Sequence, residues 1–203
     1  MAVDVHPVSS DEALARLKAG NERFLRGESR FPTVQQAVLD DLSEGQQPWA
    51  TILGCSDSRV PPEIVFDAHL GELFIVRVAG NTIGSSVLGT LQYAGAHLKT
   101  PLFVVMGHEG CGAVKAALAW RFDGQRAESR IEILLESIVP ALDGIDPELP
   151  PDQRVSAAVE ANVRYIMATL LATPEAKARL AISDMRLVGA IYELKTGRVR
   201  FLD

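Results

Sequence analysis

Both cysteines of this 203-residue chain lie in two short stretches. The first is Gly54-Cys55-Ser56-Asp57-Ser58-Arg59, and the second is Gly107-His108-Glu109-Gly110-Cys111-Gly112. Zinc is bound in proteins by thiolate, imidazole and sometimes carboxylate groups, which here are offered by Cys55, His108, Cys111 and Asp57. The side chains of Cys55 and Asp57 lean to one face of extended backbone, whereas His108 and Cys111 straddle a strand-to-helix turn. We therefore predict one zinc site.

Each of these residues also has a more ordinary interpretation. A single cysteine is most often a small buried hydrophobe, and the pair could form a disulfide, although their motifs and a reducing compartment favour metal ligation. At the start of a helix, Cys111 should have a lowered pKa. Asp57 could cap a helix or pair with Arg59, and both roles stay open beside ligation. We expect Glu109 to be solvated and to have no role in the site. We expect the same of three surface histidines, His6, His69 and His97.

Apolar runs precede both stretches and predict buried strands. Three strands are predicted before residue 110, and each is followed by a helix. This alternation predicts a parallel sheet with right-handed crossovers, and such sheets bind ligands beyond the carboxyl ends of their strands. The predicted strands are Trp49–Leu53, Leu73–Ala79 and Leu102–Met106. The first predicted helix runs from Pro61 to Phe66, and the third runs from Cys111 to about Trp120. The second is capped by Ser85 or Ser86 and carries an apolar stripe that ends at Leu98.

The ends of the chain complete the α/β fold. A capping box of Ser9 and Glu12 begins an amphipathic helix to about Gly27, which could dock on its own domain or on a partner subunit. We predict a single domain over residues 1–203, with a central mainly parallel sheet flanked by helices, a late antiparallel strand or hairpin, and an amino-terminal helical arm. The other predicted helices are Val34–Leu42, Ile131–Ile138, Val155–Leu171 and one from Pro174, and the hairpin joins Leu187–Tyr192 to Arg198–Leu202 across a turn at Lys195–Gly197.

Composition narrows the classes of function. With 47% hydrophobic and 23% charged residues the chain is typical of a globular protein, large enough to bury roughly 70% of its unfolded surface. The net charge of −6, without a basic run, argues against nucleic acid or an anionic membrane as a partner. No targeting segment and no run of 18 apolar residues is visible, so we expect a cytoplasmic protein.

The two motifs resemble those of the β-class carbonic anhydrases. The likeness rests on Cys-x-Asp-Ser-Arg followed some fifty residues later by Gly-His-x-x-Cys-Gly, and it extends from the first helix to Val188–Tyr192. It implies one Zn²⁺ per chain on Cys55, His108 and Cys111, and an Asp57–Arg59 pair that assists catalysis. It also implies a homodimer or dimer of dimers, with active sites near the subunit interface.

Members of that family occur in two states. In the open state the aspartate pairs with the arginine and water binds zinc; in the closed state, which cannot turn over, the aspartate itself binds zinc. Members inhibited by bicarbonate carry Trp three positions before the first cysteine, together with an arginine that Arg77 matches here. Because Ile52 replaces that Trp, we expect no identical bicarbonate pocket, and we expect the open state at neutral and alkaline pH.

The resemblance implies reversible hydration of carbon dioxide to bicarbonate and a proton by attack of zinc-bound hydroxide. Two thiolates should make the bound water harder to deprotonate, unless Asp57 accepts its hydrogen bond and Arg59 orients Asp57. Two alternatives stay open. The same site could attack carbonyl sulfide or carbon disulfide, or the zinc could be structural in an interaction or redox-sensing protein, although such sites usually have four Cys or His ligands.

Overall fold

The computed structural model describes residues 8–30, 36–127, 129–181 and 183–202. The strands of these residues are Ala50–Gly54 (β1), Leu73–Arg77 (β2), Leu102–His108 (β3), Arg186–Tyr192 (β4) and Val199–Leu202 (β5). They form one sheet in the order β2-β1-β3-β4-β5. The first four strands are parallel and β5 is antiparallel to β4, which confirms the predicted mainly parallel sheet with a late antiparallel strand.

Helices surround this sheet. In chain order they are Ser10–Leu25 (α1), Gln36–Ser43 (α2), Pro62–Val65 (α3), Ser85–Tyr93 (α4), Gly112–Asp123 (α5), Ile131–Glu136 (α6), Pro151–Ala172 (α7) and Pro174–Leu180 (α8). Short 3₁₀ turns cover Ala79–Asn81 and Val139–Leu142, and a π-helical turn covers Ala94–Leu98. No helix of the described residues has the length and apolar character needed to cross a membrane.

The central strands are covered on both faces. Every residue of β1 and β3 is buried, as expected for parallel strands between layers of helices. Helix α7 packs on β3 and β4. Two glycines permit its close approach, because a Cβ on Gly107 would lie 2.8 Å from Val163 Cγ2, and one on Gly189 would lie 2.8 Å from Met167 Sδ.

Helix α1 docks on its own chain. Its N-cap is Ser9, whose side chain accepts a hydrogen bond from the Glu12 amide, as the capping box predicts. Asn21 is buried, donating to the carbonyl oxygens of Val65 and Gly197 and accepting from the Val199 amide. These bonds join α1 to α3 and to the β4–β5 hairpin, so the interpretation as a helix docked on its own domain is confirmed within this chain.

Some predicted boundaries are wrong. Neither Ser85 nor Ser86 caps α4: extended Gly84 is the N-cap, and it makes no side-chain capping hydrogen bond. The stripe to Leu98 is not one α-helix, because α4 ends at Tyr93 and a π-helical turn follows. Strand β2 ends at Arg77 and not at Ala79. Helix α7 begins at Pro151, before the predicted start at Val155, because the fixed φ of proline suits a first helical turn. Val34 and Gln35, the first residues of the predicted second helix, lie outside the described residues.

A buried carboxylate fixes the end of α1 to the segment after α3. Asp67 Oδ2 accepts hydrogen bonds from Arg23 Nε at 2.6 Å and from Arg30 Nε at 3.1 Å, and Oδ1 accepts from the Arg30 amide at 2.8 Å. Burial alone would raise the pKa of Asp67, but the hydrogen bonds from Arg23 and Arg30 outweigh burial and lower that pKa. Asp67 is therefore a stabilising anion at neutral pH.

Replacing Gly20 with alanine should destabilise the protein strongly. A Cβ there would lie 1.8 Å from the carbonyl oxygen of Phe66, so α1 would have to move away from α3. We expect a loss of about 3 kcal/mol or more, the upper end of overpacking costs. Thermal unfolding of Gly20→Ala and Gly89→Ala at equal concentration tests this. Gly89 has free space around it in α4, so its alanine should add about 0.5–1 kcal/mol. An unchanged melting temperature for Gly20→Ala would contradict the packing described.

Replacing Asp67 with asparagine should cost about 1–3 kcal/mol at pH 7, because hydrogen bonds to a charged group are lost. A lowered carboxyl pKa stabilises the fold above the unfolded-state pKa of about 4, and the stabilisation is lost as pH falls through the lower folded-state value. The difference in unfolding free energy between wild type and Asp67→Asn should thus be constant from pH 7 to about 5 and shrink below about 4. Urea titrations at several pH values test this; a difference that grows in acid would contradict it.

Candidate metal centre

The parallel pairing of β1 with β3 brings the two motifs together. Gly54, the last residue of β1, is in register with Met106 of β3, so Cys55 emerges beside the carboxyl end of β3. His108 is the last residue of β3, and Cys111 is the N-cap of α5. The three side chains are thus delivered by two strand ends and one helix start at the same edge of the sheet, as the sequence predicts.

A cluster of three potential metal ligands lies there. The Cys55 and Cys111 sulfurs and a ring nitrogen of His108 all lie within 4.8 Å of one another. The residues are 5%, 2% and 1% exposed, respectively, and both cysteines are free thiols. The disulfide alternative is therefore not realised in this structure. Two sulfurs and one imidazole form a donor set that suits zinc.

Of the two ring nitrogens of His108, only Nε2 is free to bind a metal. Nδ1 donates to the carbonyl oxygen of Glu109 at 3.0 Å, which fixes the orientation of the ring. Nε2 is buried and has no hydrogen-bond partner among the described residues. An unpaired buried nitrogen is costly, and metal-bound histidines commonly donate their other ring N–H to a carbonyl oxygen. The three residues therefore fit a bound metal.

In the metal-free protein the pKa values of the two cysteine thiols are shifted in opposite directions. A hydrogen bond from the Cys111 thiol lowers the pKa of Cys55 to about 3, with smaller contributions from His108 and from the Gly80 amide, which lies 3.3 Å from the Cys55 sulfur. The same bond and burial raise the pKa of Cys111, although the first amides of α5 oppose them. The lowered pKa expected for Cys111 is thus wrong for the metal-free protein, because its thiol adjoins the Cys55 thiolate. Binding a metal to both sulfurs must release a proton.

Asp57 borders the cluster but is bonded to Arg59. Its Oδ1 accepts from Arg59 Nε at 2.9 Å and from the Arg59 amide at 3.0 Å, and its Oδ2 accepts from Arg59 Nη2 at 2.7 Å. These bonds hold the pKa of the Asp57 carboxyl well below its usual range. Oδ2 lies 3.8 Å from His108 Nε2. The carboxylate therefore faces the ligand cluster as a fixed anion, in the pairing expected of the open state.

Arg77 supports the loop that carries Cys55 and Asp57. Its Nε donates to the carbonyl oxygen of Cys55 at 3.0 Å, and its Nη2 donates to that of Asp57 at 2.6 Å. Arg77 matches the arginine of the bicarbonate-inhibited family members, but because Ile52 stands at the Trp position the sequence predicts no identical bicarbonate pocket here. In this structure two of its donors instead fix the backbone between the thiolate and the carboxylate.

Sequence reasoning missed several supporting contacts. Glu109 is not simply solvated: its carboxylate accepts from the Leu194 amide at 3.1 Å, and its amide donates to the Tyr192 carbonyl oxygen at 2.8 Å. Gly80 reaches the Cys55 sulfur, and Asn162 contacts Gly80. The only local signal of these contacts in the sequence was Asn162, a polar residue within the apolar stripe of α7.

The remaining histidines lie outside the cluster. His69 is in the loop before β2, and its backbone amide donates to Glu72. The His97 ring packs against the Tyr93 ring at a tilt of 31°, with ring centroids 5.0 Å apart. His6 lies outside the described residues.

Known proteins are similar to this chain in sequence and in fold. A family model described as carbonic anhydrase matches residues 50–199, which include both motifs. The chain belongs to the carbonic anhydrase family. It is 38% identical over 206 residues to carbonic anhydrase 2 of Mycobacterium tuberculosis, covering 98% of this chain and 95% of that protein. It is also 38% identical over 196 residues to the carbonic anhydrase of Mycolicibacterium smegmatis, covering 96% of this chain and 92% of that one.

Solved structures place the chain in the β class. The β-carbonic anhydrase CcaA matches with a TM-score of 0.77 and 27% identity, over 94% of this chain and 87% of that one. The resemblance drawn from the two motifs is thereby confirmed, as is the mainly parallel sheet with its late antiparallel strand.

Arg77→Met should weaken metal binding in this carbonic anhydrase. The variant keeps a long apolar side chain but loses the hydrogen bonds to the Cys55 and Asp57 carbonyl oxygens. We expect zinc affinity to fall about tenfold, the lower end of the effect of outer supporting groups. Competition with a chromogenic chelator measures it. Arg198→Met is the control, since Arg198 forms an exposed ion pair with Glu22. Equal affinities for the two variants would show that Arg77 does not support the ligand loop.

Proposed function

We propose that this chain catalyses the reversible hydration of carbon dioxide to bicarbonate and a proton, with one zinc ion held by Cys55, His108 and Cys111. The observation that carries the proposal is the buried Nε2 of His108, which lacks a partner among the described residues and lies beside two free thiols and an ionised carboxylate. Three protein ligands leave a fourth zinc position open, which is typical of a catalytic site.

Asp57 is proposed to orient the nucleophile. Zinc held by these residues would acidify water and so supply the hydroxide that attacks carbon dioxide, an effect for which carbonic anhydrase is itself the usual example. The Asp57 carboxylate can only accept hydrogen bonds while it is ionised, and the bidentate contact with Arg59 keeps it so. As an obligate acceptor, Asp57 would hold the proton of the attacking oxygen and so direct a lone pair of that oxygen toward carbon dioxide.

Arg59 is proposed to keep the site open. A carboxylate added to two thiolates, one neutral imidazole and Zn²⁺ would give the site a charge of minus one, whereas water in its place gives zero. The Asp57–Arg59 pairing, and Ile52 in place of Trp, support the open state at neutral and alkaline pH. A crystal structure at pH 8 with Asp57 on zinc would refute it.

We also propose a homodimer, or a dimer of such dimers, in the cytoplasm. An apolar groove of about 690 Å³ lies between α4 and α7–α8, and Tyr93 and Leu171 on its rim are exposed. Burial of such a surface favours self-association. Two free thiols accord with a reducing compartment. Sedimentation velocity tests the assembly; a monomer at micromolar concentration would refute it.

Stopped-flow hydration of carbon dioxide, on protein of measured zinc content, tests the reaction. We expect a rate that rises from mildly acidic to alkaline pH and disappears when zinc is removed by a chelator. Restoring one zinc per chain should restore the rate. No hydration by fully loaded protein at any pH would refute the proposal, and carbonyl sulfide and carbon disulfide would then be tested as substrates.

Asp57→Asn should keep zinc and lose most activity. The amide is neutral and cannot replace the ionised acceptor, so we expect a fall in kcat of about a hundredfold or more, the range of positioned acid–base groups. Zinc content is measured on the same preparation. Asp152→Asn, on the first turn of α7, is the control and should leave kcat unchanged. Full activity in zinc-loaded Asp57→Asn would remove Asp57 from the mechanism.

A further inference from the structure

Asn162 is a polar residue in an apolar environment. It is 1% exposed, and the other buried residues of α7 are Ala158, Val159, Val163 and Ile166. A buried side-chain amide costs free energy unless its hydrogen bonds are formed. Asn162 Oδ1 has no partner among the described residues, so the amide is only partly satisfied. An apolar residue of similar size would serve packing better, and the position therefore calls for another explanation.

The bond that Asn162 does make leads to the metal cluster. Its Nδ2 donates to the carbonyl oxygen of Gly80 at 3.0 Å, between residues 82 positions apart. The amide of the same Gly80 donates to the Cys55 sulfur at 3.3 Å. One residue thus links a buried side chain of α7 to a metal-binding sulfur.

Gly80 occupies a tightly constrained position. Its backbone is left-handed, with a φ of 65°, inside the 3₁₀ turn after β2. A Cβ would lie 2.8 Å from Ile138 Cδ1 and 3.1 Å from Ala113 Cβ. These contacts limit where the Gly80 carbon can lie, but they do not by themselves direct its amide at the sulfur. The hydrogen bond from Asn162 anchors the peptide plane that follows Gly80, and through the φ and ψ torsions of Gly80 it restrains the direction of the N–H in the preceding plane.

We infer that Asn162 is a positioning residue for the metal centre, acting through Gly80 to hold an N–H···S hydrogen bond on Cys55. The inference rests on the proposed metal ligation by Cys55, His108 and Cys111. An N–H donor orients a thiolate and withdraws charge from the sulfur, and outer contacts of this kind fix the geometry of metal ligands. It therefore offsets part of the charge that two thiolates donate.

Asn162→Leu and Asn162→Ala remove the amide, and Ile166→Ala is the matched control. Ile166 is fully buried one turn further along α7, so its truncation also destabilises the helix packing without removing a polar contact. Zinc affinity is measured by chelator competition on folded protein. We expect it to fall roughly 10- to 100-fold in both Asn162 variants and to be unchanged in Ile166→Ala. Equal affinities in all three variants overturn the inference.

A spectroscopic signature separates positioning from simple packing. In protein loaded with ¹¹³Cd, the N–H···S bond should give a scalar coupling between the metal and the Gly80 amide proton. We expect this coupling in wild type and Ile166→Ala and its loss in the Asn162 variants. Its persistence in those variants would overturn the inference.

If the Asn162 variants do not fold, two measurements on the wild-type protein still test the inference. The coupling together with slow exchange of the Asn162 side-chain amide supports the inference, and absence of either overturns it. These readouts are independent of turnover. If the loaded protein fails to hydrate carbon dioxide but the affinities and couplings behave as expected, the proposed reaction fails while the role of Asn162 stands.

Discussion

The pairing of β1 with β3 is the constraint on which the rest of the structure depends. Because the two strands are parallel and adjacent, their carboxyl ends lie side by side, and residues more than fifty positions apart in the chain meet there. An antiparallel pairing would have sent the two motifs to opposite edges of the sheet. The buried strands and the glycines that admit α7 stabilise this pairing, and the core therefore also supports the proposed metal ligands.

Around the ligands the backbone supplies most of the second layer of contacts. The carbonyl oxygen of Glu109 orients His108, and the amide of Gly80 bonds the sulfur of Cys55. Backbone groups can do this only if their own segments are fixed, which is why side chains such as Glu109 and Arg77 bond to neighbouring main chain instead of entering the cluster. A rigid outer layer restricts the ligands to one geometry and lowers the cost of ordering them when metal binds.

Sequence reasoning reached the strands and the ligand cluster because both leave local signals. Apolar runs mark β1 and β3, and paired motifs of zinc-binding types mark the cluster. It failed where the deciding contact is distant. Glu109 looked solvated because nothing local shows that the Leu194 amide lies opposite it, and the pKa of Cys111 was misjudged because its determinant, Cys55, is a tertiary neighbour. Likewise, Gly84 and Ser85 are almost equally suited to begin α4, and local preferences did not distinguish them.

The loop from Cys55 to Arg59 carries three functional groups within five consecutive residues: the Cys55 sulfur, the Asp57 carboxylate and the Arg59 guanidinium. So short a segment would place an anion next to two sulfurs at a severe electrostatic cost unless a cation is supplied at the same point. Arg59 supplies it through both oxygens of the Asp57 carboxylate, while Arg77 fixes the backbone carbonyl oxygens of Cys55 and Asp57. The side chain of Arg59 is largely exposed, so its pairing with Asp57 must be maintained by geometry more than by burial. Arg77 therefore holds the backbone of the loop and Arg59 holds its carboxylate, so that both the Cys55 sulfur and the Asp57 anion have a defined position at the cluster.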